Sequence, residues 1–298
     1  FERLRYWVDP QAQLGTGKVR SLPPSKKPDI TDWFYLPSWR RAAPKTLDES
    51  ALKGWKSSWL VFFDERGAGA QLAIRLEQSG QDVIAVKAGE QFCKIRQNVY
   101  TINPQRRDDY NSLLRELHQA NKQLRKVLHF WSVTQNTRTS SLLGCLEQSQ
   151  DLGLFSLLFL AQSFGQREIT YPVDILVVSN HLQDVTGEET LGPEKSTVLG
   201  ACKIIPLEYS YMSCTNVDIV TPDSEPLLAP KLINALLAEI MGGATDNVVA
   251  YRGAYRWVQC LEPVRLDKPS ELTARLREGG VYLITGGLGG IGLSIAED

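Results

Sequence analysis

Short apolar runs alternate with helical patterns along most of this chain, and this alternation limits its possible folds more than any other feature. The run Trp59–Phe63 is followed by Leu72, Ala73 and Leu76 at helical spacing, and then by a second run, Asp82–Val86. Short apolar runs are typical of strands buried on both faces, and a helix between two such strands makes them parallel. Further strands are expected at 92–102, 127–133, 175–179, 216–220, 247–251, 255–261 and 281–284, with helices after 103–104, over 141–164, after 193 and over 229–241. The sequence therefore predicts an α/β fold with a mostly parallel sheet and helices on both faces.

The beginning of the chain differs from the rest. Pro23, Pro24 and Pro28 lie among Ser and Lys without a hydrophobic period, so residues 1–30 are predicted to form a linker. The segment Trp33–Trp39 is dense in aromatic residues, and we expect it to pack on a folded body because large rings favour burial. The chain starts at Phe1 rather than at a methionine, which favours a piece of a longer protein.

Composition narrows the possible partners. The chain has 298 residues and a formal net charge of −1, so no overall field favours nucleic acid or a membrane surface. No stretch reaches the roughly 20 apolar residues needed to span a bilayer. The 5 cysteines and 3 histidines are scattered without metal-binding spacing, so we predict no metal site. An odd number of cysteines without a secretory signal favours a cytoplasmic protein with reduced thiols.

The strongest chemical signal is a glycine-rich segment near the C-terminus. An apolar run at 281–284 leads into it, and an apolar helical pattern follows. Glycines permit a tight turn and let the backbone approach a pyrophosphate, while a helix N-terminus offers free N–H groups to the phosphates. The alternative is a turn with only a structural role. The predicted dinucleotide-binding turn consists of Thr285, Gly286, Gly287, Leu288, Gly289, Gly290, Ile291 and Gly292.

A similar pattern occurs earlier in the chain. The run Trp59–Phe63 leads into a turn with Gly67 and Gly69, but Leu72 stands where the last glycine of the motif would be. The charged residues 64–66 also crowd this turn. We interpret it as a degenerate copy of the nucleotide-binding unit that binds no nucleotide.

These features together resemble the ketoreductase region of modular type I polyketide synthases. The C-terminal turn is similar to that of short-chain dehydrogenases/reductases, and a degenerate unit before a functional one is typical of the synthase ketoreductase. The resemblance covers nearly the whole chain. It rests on the order of the segments at 1–7, 33–39, 127–132, 196–200, 206–209, 249–256 and 285–292.

The resemblance implies a domain organisation. Residues 1–30 would be a linker that follows an acyltransferase, and 31–275 would be the structural subdomain, with a truncated Rossmann-like sheet. Residues 276–298 would be the first strand, turn and helix of the catalytic, NADPH-binding subdomain.

The resemblance also implies a reaction. The family reduces a β-ketoacyl group carried on the phosphopantetheine arm of an acyl carrier protein domain, with a Tyr and a Lys four residues later in the active site. No Tyr-x-x-x-Lys occurs in this chain, so we expect no catalytic residue in it and regard it as catalytically incomplete.

Two other functions remain open at this point. The chain would be a non-catalytic scaffold that braces neighbouring synthase domains if the region were a pseudo-ketoreductase. An independent short-chain dehydrogenase is less favoured because such enzymes place the glycine turn near the N-terminus. His129, between apolar residues, is interpreted as a core histidine rather than a catalytic base.

Overall fold

A ten-stranded sheet organises the part of the chain that the structure describes. This computed structural model describes residues 27–135, 141–167, 169–221, 228–266, 277 and 279–297. The strands are β1 (Phe34–Ala42), β2 (Ser58–Phe63), β3 (Val83–Ala88), β4 (Cys93–Arg96), β5 (Val99–Ile102), β6 (Leu124–Ser132), β7 (Val173–Asn180), β8 (Met212–Ile219), β9 (Val248–Arg252) and β10 (Tyr255–Val264). The helices are α1 (Glu49–Gly54), α2 (Ala68–Gln78), α3 (Arg107–Gln119), α4 (Leu142–Ser149), α5 (Ser156–Gly165), α6 (Thr197–Glu208), α7 (Pro230–Met241) and α8 (Gly290–Glu297).

The strand order is β1-β10-β9-β8-β7-β6-β2-β3-β5-β4. From β9 to β5 every neighbouring pair is parallel, whereas β10 and β4 pair antiparallel with β9 and β5. Helices link the successive parallel strands, as such crossovers require, except for β3 and β5, which are connected through β4. The predicted α/β sheet is therefore confirmed.

Each face of the sheet carries its own apolar core. Successive side chains of a strand point to opposite faces, so Leu60 and Phe62 of β2 join one core while Trp59 and Val61 join the other. The first core takes the apolar faces of α3, α5 and α6, and the second takes those of α2 and α7. Burial on both faces explains why these strands are continuous apolar runs in the sequence.

Three predicted elements differ in detail. The strand expected over 92–102 is a hairpin of β4 and β5, because Asn98 adopts a left-handed conformation with φ of 59° and turns the chain. The helix expected over 141–164 is interrupted by a π-helical stretch, Gln150–Phe155, between α4 and α5. The helix expected directly after 103–104 begins slightly later, since α3 starts at Arg107.

The aromatic segment after residue 32 does not pack as predicted. It enters β1, yet Trp33, Phe34, Tyr35 and Leu36 are between 40% and 58% exposed. The Lys27 ammonium lies 4.8 Å from the centre of the Tyr35 ring, and β1 joins the sheet through β10. A strand at the end of the sheet order has a neighbour on one side only, which leaves more of its surface open.

The predicted strand at 281–284 is absent from the described residues. Val281 and Leu283 are 98% and 94% exposed, and these residues pair with no described strand. A strand exists only where a neighbour accepts and donates its backbone hydrogen bonds, which explains the difference. Most of the predicted linker 1–30 lies outside the described residues.

The described residues divide into two compact units, Pro37–Leu261 and a second formed by Phe1–Leu36 with Glu262–Asp298. The larger unit holds the parallel sheet and both cores, and the smaller unit holds the C-terminal glycine segment. None of the described helices is both long and apolar enough to cross a membrane.

Candidate functional site

The C-terminal glycine segment folds into a tight turn that leads directly into α8. Gly286 has a φ of +73°, a left-handed conformation that glycine adopts without strain. The N–H of Gly289 donates to the carbonyl of Gly286 at 2.8 Å, and the N–H of Leu293 donates to the carbonyl of Gly289 at 2.9 Å, where the helix starts. The predicted helix after the glycines is therefore present, although the strand before them is not.

Gly292 is the position in this turn that tolerates no side chain. A Cβ there would lie 2.5 Å from the carbonyl oxygen of Gly286 and 2.6 Å from the Cα of Gly287, both of them backbone atoms. Around Gly290, by contrast, a Cβ would meet nothing within 4 Å. The turn is thus closed against the helix and open above Gly290, which is the form that a phosphate cradle needs.

All eight predicted residues, 285–292, lie together in this turn. Gly292 is buried and Gly287 is half-buried, whereas the other six are exposed, with Leu288 at 95%. The first N–H groups of a helix have no partner within the helix, so they are available to an anion. The residues present therefore fit a dinucleotide pyrophosphate.

The earlier glycine turn, after β2, also leads from a glycine into a helix, but a side chain of this chain binds its backbone N–H groups. Gly67 precedes α2 with a φ of +88°. The carboxylate of Asp64 accepts hydrogen bonds from the N–H of Ala68 at 3.2 Å and from the N–H of Gly69 at 2.7 Å. Leu72 is fully buried in the core beneath this turn. The backbone donors of this turn thus bind a side chain of the same chain.

A cavity of about 910 Å³ opens at the carboxyl ends of the parallel strands of the larger unit. It lies where the chain order reverses, between β2 and β6, which is where open α/β sheets place their ligands. Among the described residues, Lys195 is the one cation that lines this cavity. Six acidic residues also line it: Asp64, Glu65, Glu90, Glu147, Asp151 and Glu194.

The cation in this cavity is already bound. Lys195 is 6% exposed, and its Nζ donates to Asn180 Oδ1 at 2.6 Å and to the carbonyls of Asn180 and Ser132 at 3.0 and 3.3 Å. Burial lowers the pKa of Lys195 to about 8. Its three acceptors lie at the ends of β6 and β7, so the ammonium clamps these strands together.

His129 is a core residue, as predicted. It is fully buried, and its Nε2 lies 2.5 Å from Ser156 Oγ. Burial lowers the pKa of His129 to about 3, so the ring is neutral at physiological pH. Among the described residues, no group of three or more His, Cys, Asp or Glu side chains is placed to hold a metal ion.

The sequence interpretation missed the buried polar residues Lys195, Asp218 and Arg252. Asp218 and Arg252 pair at 2.8 Å in the interior of the larger unit. Asp218 and Arg252 stand within or beside an apolar run, which is the one signal that marks them in the sequence, whereas Lys195 has polar neighbours and no such signal. The partners of these residues are distant in sequence and could not be assigned from it.

The fold and the turn define a class of protein: a Rossmann-like, mostly parallel α/β sheet, followed by a glycine-rich turn that leads into a helix. The fold is similar to that of a solved multidomain structure from a keto acid-selecting NRPS module, which comprises adenylation, ketoreductase and pseudo Asub domains. The TM-score is 0.71, and the sequences are 26% identical over 89% of this chain and 21% of that chain. An N-terminal ketoreductase from the macrolactin assembly line gives a TM-score of 0.66 at 23% identity, over 88% of this chain and 50% of that chain.

Residues 59–239 match the family described as beta-ketoacyl synthase-like, N-terminal, and the chain belongs to this family. One of the phenolphthiocerol/phthiocerol polyketide synthase proteins of Mycobacterium tuberculosis is 34% identical over 114 residues, which are 38% of this chain and 6% of that protein. The predicted resemblance to the ketoreductase region of a modular polyketide synthase is confirmed, as is the α/β fold class.

Proposed function

We propose that this chain is the structural part of a ketoreductase region, together with the start of its NADPH-binding part, in a modular polyketide synthase. In the full-length protein this region reduces a β-ketoacyl group carried by an acyl carrier protein domain. The partners are that carrier domain, with its phosphopantetheine arm, and the neighbouring synthase domains.

The observation that carries the proposal is the turn at 285–292. Its one buried glycine, Gly292, leaves room only for backbone, and the space above Gly290 is open toward the start of α8. The relatives that match this chain carry the names polyketide synthase and ketoreductase, which supports the same reaction class.

In this proposal the described residues bind and orient NADPH rather than perform the reduction. The backbone N–H groups of the turn and the positive end of α8 hold the pyrophosphate, and Thr285 stands at the entrance of the turn. Bound NADPH supplies the hydride. The proton donor would be a tyrosine outside this chain, because no Tyr-x-x-x-Lys occurs in it.

The test is reduction of a β-ketoacyl thioester by the full-length protein, followed through the absorbance of NADPH. We expect turnover in the unmodified protein and none in Gly290→Trp, whose indole would fill the open space above the turn. Ile295→Ala is the matched control, because Ile295 is 61% exposed on α8, lies outside the turn at 285–292 and should leave the activity unchanged.

Two results would contradict the proposal. One is full turnover in Gly290→Trp. The other is a full-length protein without turnover and without a tyrosine and lysine at the family spacing, which would make the region a scaffold.

A further inference from the structure

We propose that Asp64 is a built-in anion that occupies the phosphate cradle of the first glycine turn and thereby prevents a dinucleotide from binding there. Asp64 would thus decide which of the two turns of this chain accepts a phosphate. This inference concerns the larger unit alone and holds whether or not the C-terminal turn binds NADPH.

The contacts of Asp64 are those that a bound phosphate would make. Its Oδ1 accepts from the N–H of Gly69 at 2.7 Å, and its Oδ2 accepts from the N–H of Ala68 at 3.2 Å. Both donors belong to the first turn of α2, where a helix offers its unpaired N–H groups and its positive end. A ligand phosphate would have to displace a carboxylate that is covalently fixed beside these donors, and therefore present at a high effective concentration.

Burial strengthens this competition. Asp64 is 9% exposed, so its carboxylate is largely shielded from water and cannot be replaced by solvent at little cost. Burial raises the pKa of Asp64, while the N–H groups of Gly69 and Ala68 act in the opposite direction by stabilising the charged form. Backbone N–H groups, those of Gly69 and Ala68 first and then those of Asp64 and Arg66, therefore stabilise the negative charge in this buried place.

The surrounding cavity repels anions as well. Besides Asp64, it is lined by Glu65, Glu90, Glu147, Asp151 and Glu194. The ammonium of Lys195 is the one lining cation among the described residues, so negative charges remain in excess around the turn. A pyrophosphate at this turn would meet like charges on several sides.

The C-terminal turn has no acidic side chain of its own beside its helix. Residues 281–293 contain no acidic side chain, and the first N–H groups of α8 face no carboxylate of that segment. The two turns therefore share glycines and a following helix, but only the earlier one carries its own anion.

The test measures the affinity for inorganic pyrophosphate by isothermal titration calorimetry on the 298-residue chain. Every protein in the series carries Gly290→Trp, so that the C-terminal turn contributes no binding. In this background we expect Asp64→Ala to bind pyrophosphate at least about tenfold more tightly than the chain with Asp64, because two backbone donors become free.

Glu65→Ala is the matched control. Glu65 is an exposed carboxylate of the same turn and lines the same cavity, but it is not the residue that accepts from Ala68 and Gly69. We expect its removal to change the affinity less than about threefold, as screened charges do. Equal gains in the two variants, or no gain in Asp64→Ala, would overturn the proposal.

A second measurement needs no substitution at Asp64 and so does not depend on the folding of a variant. In a pH titration followed by NMR, the amide proton shifts of Ala68 and Gly69 should move together with the ionisation of the Asp64 carboxyl. Amide shifts that do not follow this ionisation would mean that the carboxylate does not occupy the cradle. Neither experiment involves NADPH, so a failure here is distinct from a failure of the proposed function.

Discussion

At the residue scale, Asp218 is the centre of a buried polar network in the larger unit. It is fully buried, and it accepts from Ser179 Oγ at 2.9 Å, from the N–H groups of Leu182 and Gln183 at 3.2 Å each, and from Arg252 Nη2 at 2.8 Å. Arg252 also donates through Nε to Glu189 at 2.7 Å. The network ties the loop after β7 to β8 and β9.

We expect Asp218→Ala to lower the free energy of unfolding by about 3–5 kcal/mol, because it leaves the buried Arg252 guanidinium with one of its two carboxylate partners removed. Urea denaturation followed by circular dichroism measures this loss. Asp32→Ala, which breaks the exposed pair with Arg265, is the control and should change the urea midpoint little. Similar midpoints for the two variants would show that the buried network contributes no more than an exposed ion pair.

His129 should make the stability of the protein depend on pH. In the unfolded chain the imidazole takes up a proton below about pH 6.5, whereas burial lowers its pKa in the native state to about 3. The unfolded state therefore binds more protons in this interval, and stability falls as pH falls, with a limiting slope of about 1.4 kcal/mol per pH unit.

The urea midpoint between about pH 6.5 and 5 measures this effect before most carboxylates titrate. His129→Phe should flatten the dependence, because it removes the buried imidazole. An unaltered slope in His129→Phe would mean that another group is responsible.

At the element scale, two helix glycines offer a matched pair. A Cβ at Gly165, the last residue of α5, would run into the Tyr209 ring, with Cζ at 2.9 Å and the hydroxyl oxygen at 3.0 Å. At Gly200, inside α6, a Cβ would meet nothing within 4 Å.

We therefore expect Gly165→Ala to destabilise the protein by about 1–3 kcal/mol through overpacking. Gly200→Ala should stabilise it by about 0.5–1 kcal/mol, because alanine loses less backbone freedom on folding than glycine. Differential scanning calorimetry compares the two melting temperatures. If the melting temperatures of Gly165→Ala and Gly200→Ala shifted in the same direction, the packing described around Tyr209 would be contradicted.

The elements that the sequence predicted well are those buried on both faces. β2 holds the apolar run Trp59–Phe63 and β7 holds the apolar run 175–178, because helices cover both sides of the sheet, and that burial leaves a direct trace in the sequence. The elements that differ depend on partners instead. The run 281–284 is apolar enough for a strand but has no described neighbour, and the left-handed turn at Asn98 divides the single strand expected over 92–102 into two strands.

At the scale of the whole molecule, the chain holds two glycine turns of similar form and unlike chemistry. The sequence marked the glycines of both and identified Leu72 as the departure in the first. It did not predict that Asp64 caps the N–H groups four and five residues later, because that contact depends on the path of the backbone after β2. Spacing therefore locates such a turn, whereas its occupant is set by the three-dimensional structure.

The most direct test of this account counts the NADPH molecules bound by the full-length protein at saturation. Gly290→Trp should bind one equivalent fewer than the unmodified protein, because it fills the open space above the C-terminal turn. Ala70→Trp, at the corresponding position of the first turn, should leave the number unchanged. The account would be contradicted if Gly290→Trp kept every equivalent, or if Ala70→Trp lost one.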